Sequence, residues 1–133
     1  MATVNLNNEA QQIITGKDNI VIVDNFESVR GGRTLDVTGF TPNIINAGHI
    51  IIKDSEGEYK PMPVTVDGTA YDVLPEGHTY AGVLIASIPT DKAFAGIMIR
   101  GTVNTNASPY PLTSILSAVK TALPLIVFTS DKA

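Results

Sequence analysis

The fold is decided by two neighbouring segments, G-H-I-I-I-K-D-S-E-G-E-Y-K-P-M-P-V (48–64) and Y-A-G-V-L-I-A-S-I-P-T-D-K-A-F-A-G-I-M-I-R-G-T-V-N (80–104). Their apolar runs are Ile50–Ile52, Val83–Ile88 and Ile97–Val103, and Gly, Pro and Asp residues separate them. None of these runs has the length or the 3.6-residue period of a helix, and each has the composition of a strand. The stretch therefore predicts a mainly β domain.

Further strands are expected before this stretch. Ile20–Val23 is a continuous apolar run, and Arg33–Val37 follows the turn signal Gly31-Gly32.

Within the stretch itself, Asp54–Gly57 predicts a tight hairpin loop between a strand at 48–53 and one at 59–66. Because side chains alternate along a strand, one set of apolar residues is expected in the core. That set is Val83, Ile85, Ile97 and Ile99.

Residues 112–123 predict the one C-terminal helix of the domain. Ile115, Leu116, Val119 and Leu123 form a single apolar stripe at helical spacing. Thr113 or Ser114 can cap the start of this helix, and Pro124 stops it. A final strand is expected at Leu125–Thr129.

The first 19 residues differ from the rest, so the chain divides into an N-terminal arm (1–19) and one β-rich domain (20–133). The arm is polar and rich in Asn and Gln. Two interpretations stay open: an arm that orders only on binding, or a short helix that Asn8 caps and Gly16 ends. Ordering costs about 1–2 kcal/mol per residue in backbone entropy, which favours the arm.

Composition restricts the classes of partner. Hydrophobic residues make up 44% of the 133 residues and charged residues 17%, against about 25% in typical domains. Apolar surface left after folding would be covered by another subunit, or else the β core is simply well filled. The net charge of −4, with scattered Lys and Arg, argues against nucleic acid. The longest uncharged apolar run, near Ala122–Phe128, is far below the ~18 residues that span a membrane.

Residues with catalytic or ligand chemistry do not converge along the sequence, which predicts no enzyme, no cofactor and no metal site. The chain has no cysteine. His49 and His78 have no third ligand at a suitable spacing, so both are expected to be surface or turn residues. Asp54 and Glu56 are expected to lie in a solvated hairpin loop rather than to form a catalytic pair. No serine has the context of a nucleophile.

Arg30 and Arg33 bracket the Gly31-Gly32 turn. Two guanidinium groups at one turn can bind an anion or a carboxylate of a partner. A solvated hairpin tip is the alternative, and it is the favoured interpretation of this pair.

The order of motifs resembles one known family. An Ala47-Gly48 step opens a strand, a hairpin ends in Gly57–Pro61, and a Gly82-Val83-Leu84 strand follows. An acidic turn at Asp91 then precedes the strand that closes in Arg100–Asn104. With the helix and final strand, this order is similar to lambda-type bacteriophage head decoration proteins and to related head-fibre proteins of tailed phages, over about residues 20–129.

The resemblance implies a small β-clip-like domain that assembles as a homotrimer on the outer surface of the virion. It implies the major capsid protein as partner, synthesis in the host bacterial cytoplasm, and no catalysis. The family reaches the capsid protein through its N-terminal arm, so residues 1–16 are expected to serve attachment. The expected contacts are Val4, Leu6, Ile13 and Ile14.

Three other functions remain open at this stage. The first is the base or knob of a short head or tail appendage that contacts the host. The second is a trimeric β-clip enzyme of the dUTPase kind, whose acidic and glycine-rich motifs are not found here. A carbohydrate-binding module is the third, although the chain lacks the Trp that best stacks on sugars.

Overall fold

A computed structural model describes residues 15–131. Within this range ten β-strands outnumber two short α-helices, which confirms the mainly β prediction. The elements are α1 Asp18–Val21, β1 Ile22–Ser28, β2 Arg33–Thr34, β3 Ile44–Ile45, β4 Ile50–Asp54, β5 Tyr59–Pro61, β6 His78–Leu84, β7 Ile88–Pro89, β8 Phe94–Ala95, β9 Ile97–Asn104, α2 Leu116–Ala122 and β10 Ile126–Thr129. Two 3-10 helices lie at Thr90–Lys92 and Thr105–Ala107.

The largest sheet is organised around β9. Its strand order is β1-β9-β6-β4-β5, and neighbours on this path are antiparallel. On the side of β9 away from β1, β6 pairs with Ile97 and Met98, and β10 pairs in parallel with Gly101–Asn104. The pairs β2-β8 and β3-β7 form two small sheets. The first and last strands of the described chain thus flank the second half of β9.

Both faces of the central strands are buried. Ile50 and Ile52 lie in one hydrophobic cluster, and Ile51 between them lies in another. Successive side chains of a strand point to opposite faces, so burial of neighbours means that each face has its own cover. We call the larger cluster the main core; its buried members are Val21, Ala47, Ile50, Ile52, Met62, Tyr71, Val83, Met98, Val103, Ala107, Leu112, Ile115, Val119, Leu123 and Ile126. The second core consists of Leu35, Ile45, Ile51, Leu84, Ala93, Ala95 and Ile97.

The two-sided sheet corrects half of the predicted core. Val83 and Ile97 are buried, as expected. Ile85 and Ile99 are only half-buried, whereas their neighbours Leu84 and Met98 are fully buried. The prediction assumed one covered face, and an alternating set cannot describe strands that are covered on both.

Two predicted strands have different bounds in the structure. The run Ile20–Val23 is not one strand, because α1 takes up its first two residues and buries Val21 in the main core. The predicted strand Arg33–Val37 shrinks to two residues, since β8 offers a partner only to Arg33 and Thr34. A strand needs a partner backbone at every position, and the sequence does not display where that partner ends.

The C-terminal helix occurs where the sequence predicts it but is shorter. The stripe residues Ile115, Val119 and Leu123 are buried in the main core. However, α2 covers only Leu116–Ala122, and its N-cap is Ile115, without a side-chain cap hydrogen bond. The predicted caps Thr113 and Ser114 are therefore wrong. The final strand is confirmed as β10.

β1 crosses very close to β9. The register between the two strands shifts three times, as β-bulges require. A Cβ placed on Gly101 of β9 would collide with the Asp24 carbonyl oxygen of β1 and with the Met98 sulfur. Glycine at this position is what allows the two backbones to approach.

Candidate functional site

His49 is the most unusual polar residue of the described chain. The sequence predicts a surface or turn residue, but His49 is fully buried, which corrects that prediction. It immediately precedes β4, where backbone bonds from Gly48 and Leu84 hold this segment against the end of β6. Its Nε2 lies 2.9 Å from the Met62 carbonyl oxygen, a distance at which the Nε2–H form donates to that oxygen.

Three aromatic rings surround the imidazole, and we call the group the His49 cluster. Phe40, Tyr71 and Tyr110 lie with ring centroids 5.4, 5.1 and 5.6 Å from that of His49, all in edge-to-face geometry. The Tyr71 hydroxyl accepts a hydrogen bond from the Ile50 amide at 3.1 Å. The three rings and the imidazole come from four separate segments, so the cluster ties distant parts of the chain to the start of β4.

The electrostatics of the cluster keep the imidazole neutral. Burial lowers the pKa of His49 to about 4, against a smaller opposing effect of the Met62 carbonyl. Burial also raises the pKa of both Tyr71 and Tyr110. The Nδ1 atom of His49 has no hydrogen-bond partner among the described residues. A neutral, enclosed imidazole stabilises packing and cannot meet a substrate at the surface.

The partly exposed His78 is engaged differently. It begins β6, and its Nδ1 lies 3.0 Å from the Glu76 carbonyl oxygen. The structure does not bring it together with His49. Among residues 15–131, no group of three or more His, Asp or Glu side chains is arranged to hold a metal ion.

The acidic candidates of the 54–58 hairpin serve their own turn. The Asp54 carboxylate accepts hydrogen bonds from the amides of Glu56 and Glu58 at 2.9 and 3.0 Å. These backbone bonds, that of Glu58 first, hold the pKa of Asp54 below its usual value. Glu56 is exposed. This geometry is the solvated hairpin that the sequence predicts.

Arg30 and Arg33 make different contacts at their shared turn. Arg33 donates from Nη1 to the carbonyl oxygens of Arg30 and Gly32 at 2.8 and 2.6 Å, and its guanidinium lies 5.8 Å from the centre of the Tyr59 ring. These contacts commit Arg33 to closing its own turn. Arg30 contributes a backbone oxygen to the same turn. The turn is exposed, as the favoured interpretation expects, but it does not join a hairpin, because β1 pairs with β9 and β2 pairs with β8.

A serine–carboxylate contact escaped the sequence analysis. Ser87 donates from its hydroxyl to Asp18 Oδ1 at 2.8 Å and from its amide to Asp18 Oδ2 at 3.0 Å. The same hydroxyl accepts from the Ala47 amide at 2.9 Å. With its hydroxyl proton and lone pair both engaged, Ser87 serves as a tether for α1. The partners are 69 residues apart, and no local pattern signals such a pair.

An open, largely apolar surface is formed by β1, the second half of β9 and the β10 segment, and we call it the β9 face. One side of this part of the sheet faces the main core. Its side chains there are Ile22, Val103, Ile126 and Phe128. The opposite side is open, and large apolar side chains lie on it: Phe26 is 69% exposed, Leu125 63%, Val127 58% and Val23 48%. The polar members of the face are Asp24, Glu27, Arg100 and Thr102.

Local sequence pattern does not reveal the β9 face, for an identifiable reason. The residues come from β1, β9 and β10, which are far apart in sequence. Val23 and Phe26 sit at the register shifts of β1, where two residues oppose one of β9, so they break simple alternation. The only signals in the sequence were the low charge content and the surplus of apolar residues.

A surface groove of about 220 Å³ includes Asp36, Thr38, Phe40 and Lys60 in its lining. Its carboxylate is engaged, because Asp36 accepts from the Thr38 hydroxyl at 2.7 Å and from the Thr38 amide at 3.1 Å. These bonds lower the pKa of Asp36. The charge of Lys60, in the same lining, lowers this pKa further.

The expected capsid contacts Val4, Leu6, Ile13 and Ile14 lie outside the described residues, as does the Asn8–Gly16 helix alternative up to residue 14. Neither α1 nor α2, the helices of the described range, has the length and apolar content needed to cross a membrane. The comparisons with known proteins add no relative: no family model matches the chain, and no curated protein or solved structure matches it either.

Proposed function

We propose that this protein is a structural component of a bacteriophage virion that decorates and stabilises the outer capsid surface, as a homotrimer with no catalytic activity. The proposal starts from the ordered motifs between Ala47 and Asn104 that resemble the head decoration family. The observation that carries it is the engagement of the candidate polar side chains in contacts within the described chain, which suits a protein that acts through its surface and not through a reactive group.

The polar groups of the described chain support a structural role. Asp18, Arg33 and Asp54 each close a local turn or tether two segments of this chain. His49, whose pKa burial lowers, is sealed among aromatic rings. Perturbed groups often mark active sites, but here burial in a packed cluster explains the shift.

The N-terminal arm supplies the attachment in this proposal. Val4, Leu6, Ile13 and Ile14 are covered on the capsid, and backbone groups of the arm pair with a strand edge of the capsid protein. Ordering of the arm is then offset by contacts made only in the complex.

Co-sedimentation with bare capsids of tailed phages tests the function. The full chain is expected to sediment with capsids, and deletion of Met1–Ile14 is expected to weaken binding at least tenfold, about 1.4 kcal/mol. The deletion should leave the melting temperature and oligomeric state nearly unchanged, since the arm is polar and has few apolar residues to offset the entropy cost of its ordering. A chain that never sediments with capsids contradicts decoration and favours the appendage alternative.

A paired substitution makes the test specific to the apolar residues. Leu6→Ser together with Ile13→Ser should weaken capsid binding, because these changes remove apolar area. Asn5→Ser together with Asn7→Ser alters the same arm without removing apolar area, and it should bind like the unaltered chain. Equal binding of both variants would contradict the assigned contacts.

A further inference from the structure

We propose that the β9 face is a self-association surface, on which the same face of a second copy of this chain packs about a two-fold axis. The second copy supplies the layer that this half of the sheet lacks. The contact concerns surfaces on β1, β9 and β10, and it is independent of the arm that the proposed function assigns to the capsid.

The uneven cover of the sheet is the first observation. On one face the main core extends from Ile50 of β4 to Ile126 of β10. On the other face the second core covers Ile51, Leu84 and Ile97 and ends at the start of β9. Beyond that point the same face is open. Two packed layers are the normal arrangement of a β domain, and a second sheet about 10 Å away would complete it.

The arrangement of the apolar side chains is the second observation. Val127 and Asp24 both pair with Thr102, and Glu27 pairs with Arg100. β1 and β10 thus lie on either side of β9. The apolar residues of β1 form one row and those of the β10 side form another, and the two rows are about 10 Å apart, which is two strand spacings. Thr102 and Arg100 lie between the rows. A second sheet can lay its own side chains into this shallow trough.

Charge complementarity identifies the occupant. The face carries Asp24 and Glu27 on its β1 side and Arg100 along its middle, all exposed. An isologous contact places one patch on itself, so a patch with both signs can pair Arg100 of each copy with carboxylates of the other. A partner of a single charge sign would leave one of these groups opposed by a like charge.

Matched substitutions test the surface. The mass of the purified full chain is measured by native mass spectrometry and by light scattering over a concentration series. Val127→Asp is expected to weaken self-association at least tenfold, since it places a charge within the apolar row on the β10 side of the face. Val66→Asp is the control, because Val66 is fully exposed and lies in the 65–68 turn, outside the three strands of the β9 face.

Charge reversal tests the two-fold arrangement. Arg100→Glu alone and Glu27→Arg alone should each weaken self-association at least tenfold, because position 100 of each copy then meets a like charge at position 27 of the other copy. Mixing the two variants should restore association, since each then meets its opposite. Association of either single variant at the level of the unaltered chain would overturn the two-fold pairing.

The stoichiometry separates this inference from the proposed function. A face-to-face contact gives a dimer alone, or a hexamer where it joins two trimers. A chain that is only trimeric, or monomeric at tens of micromolar, overturns the inference, and so does a Val127→Asp variant that associates like the control. A trimer that binds capsids would leave the proposed function standing.

Discussion

Between pH 6.5 and about 4, acid should destabilise this protein chiefly through His49. The imidazole is fully buried among Phe40, Tyr71 and Tyr110, and its Nδ1 has no partner among the described residues. A proton added to Nδ1 would place a charge in this cluster with nothing to accept its hydrogen bond. In the unfolded chain the same imidazole takes up the proton in water at little cost.

The size of the effect follows from the two pKa values. Burial lowers the pKa of His49 from 6.5 to about 4, so between these values the unfolded chain binds more protons than the folded one. The free energy of unfolding is therefore unaffected by this group above about pH 6.5 and falls as the pH drops toward 4. At 1.36 kcal/mol per pKa unit, the full loss is about 3 kcal/mol. Hydrogen bonds lower the pKa values of Asp36, Asp54 and Asp67. These carboxylates therefore change the free energy of unfolding only at more acidic pH.

Urea unfolding at pH 7.5, 6.5, 5.5 and 4.5 measures this loss. His49→Phe should remove most of the pH dependence between 6.5 and 4.5. At pH 7.5 it should be less stable by about 1–3 kcal/mol, because the buried Met62 carbonyl oxygen loses its donor. His49→Gln, which keeps a side-chain donor, provides a second variant. His78→Gln is the matched control, since it removes the partly exposed histidine and leaves the cluster intact.

Two outcomes would refute the reasoning. One is an unfolding free energy that stays constant between pH 6.5 and 4.5 in the unaltered chain. The other is a His49→Phe variant that keeps the full acid dependence, which would assign the dependence to other groups.

The remaining expectations concern packing, tethering and metals. Gly101→Ala should lower the stability by about 1–3 kcal/mol in urea, because its Cβ would collide with β1, whereas Gly96→Ala has only an ordinary contact at 3.4 Å and should be tolerated. Ser87→Ala should cost about 1–2 kcal/mol and speed amide hydrogen exchange in α1, since Asp18 loses a charged hydrogen bond; Ser55→Ala, in an exposed loop, should do neither. EDTA should leave the melting temperature unchanged, and a drop of several degrees would contradict the predicted absence of a structural metal.

Local pattern was sufficient where one segment decides its own environment. The hairpin at Asp54, the apolar stripe of α2 and the final strand all follow from residues close in sequence. Turn chemistry and side-chain periodicity act over a few residues, so the chain displays them directly. The same holds for the low charge content, which predicts surplus apolar surface without locating it.

Tertiary structure decided everything that depends on which segments become neighbours. The sequence placed His49 at a surface turn, and only the approach of Phe40, Tyr71 and Tyr110 encloses it. The cover on both faces of the central strands likewise overrode the alternation that predicted Ile99 in the core.

The β9 face shows the same division most clearly. Taken singly, its apolar residues have nothing unusual about them. The sequence by itself determined only that the chain has a surplus of apolar residues and few charged ones. Pairing of the first and last described strands with β9 gathers them on one open surface. Strand pairing joins backbones that are distant in sequence, and side-chain pattern alone does not encode which strands will meet.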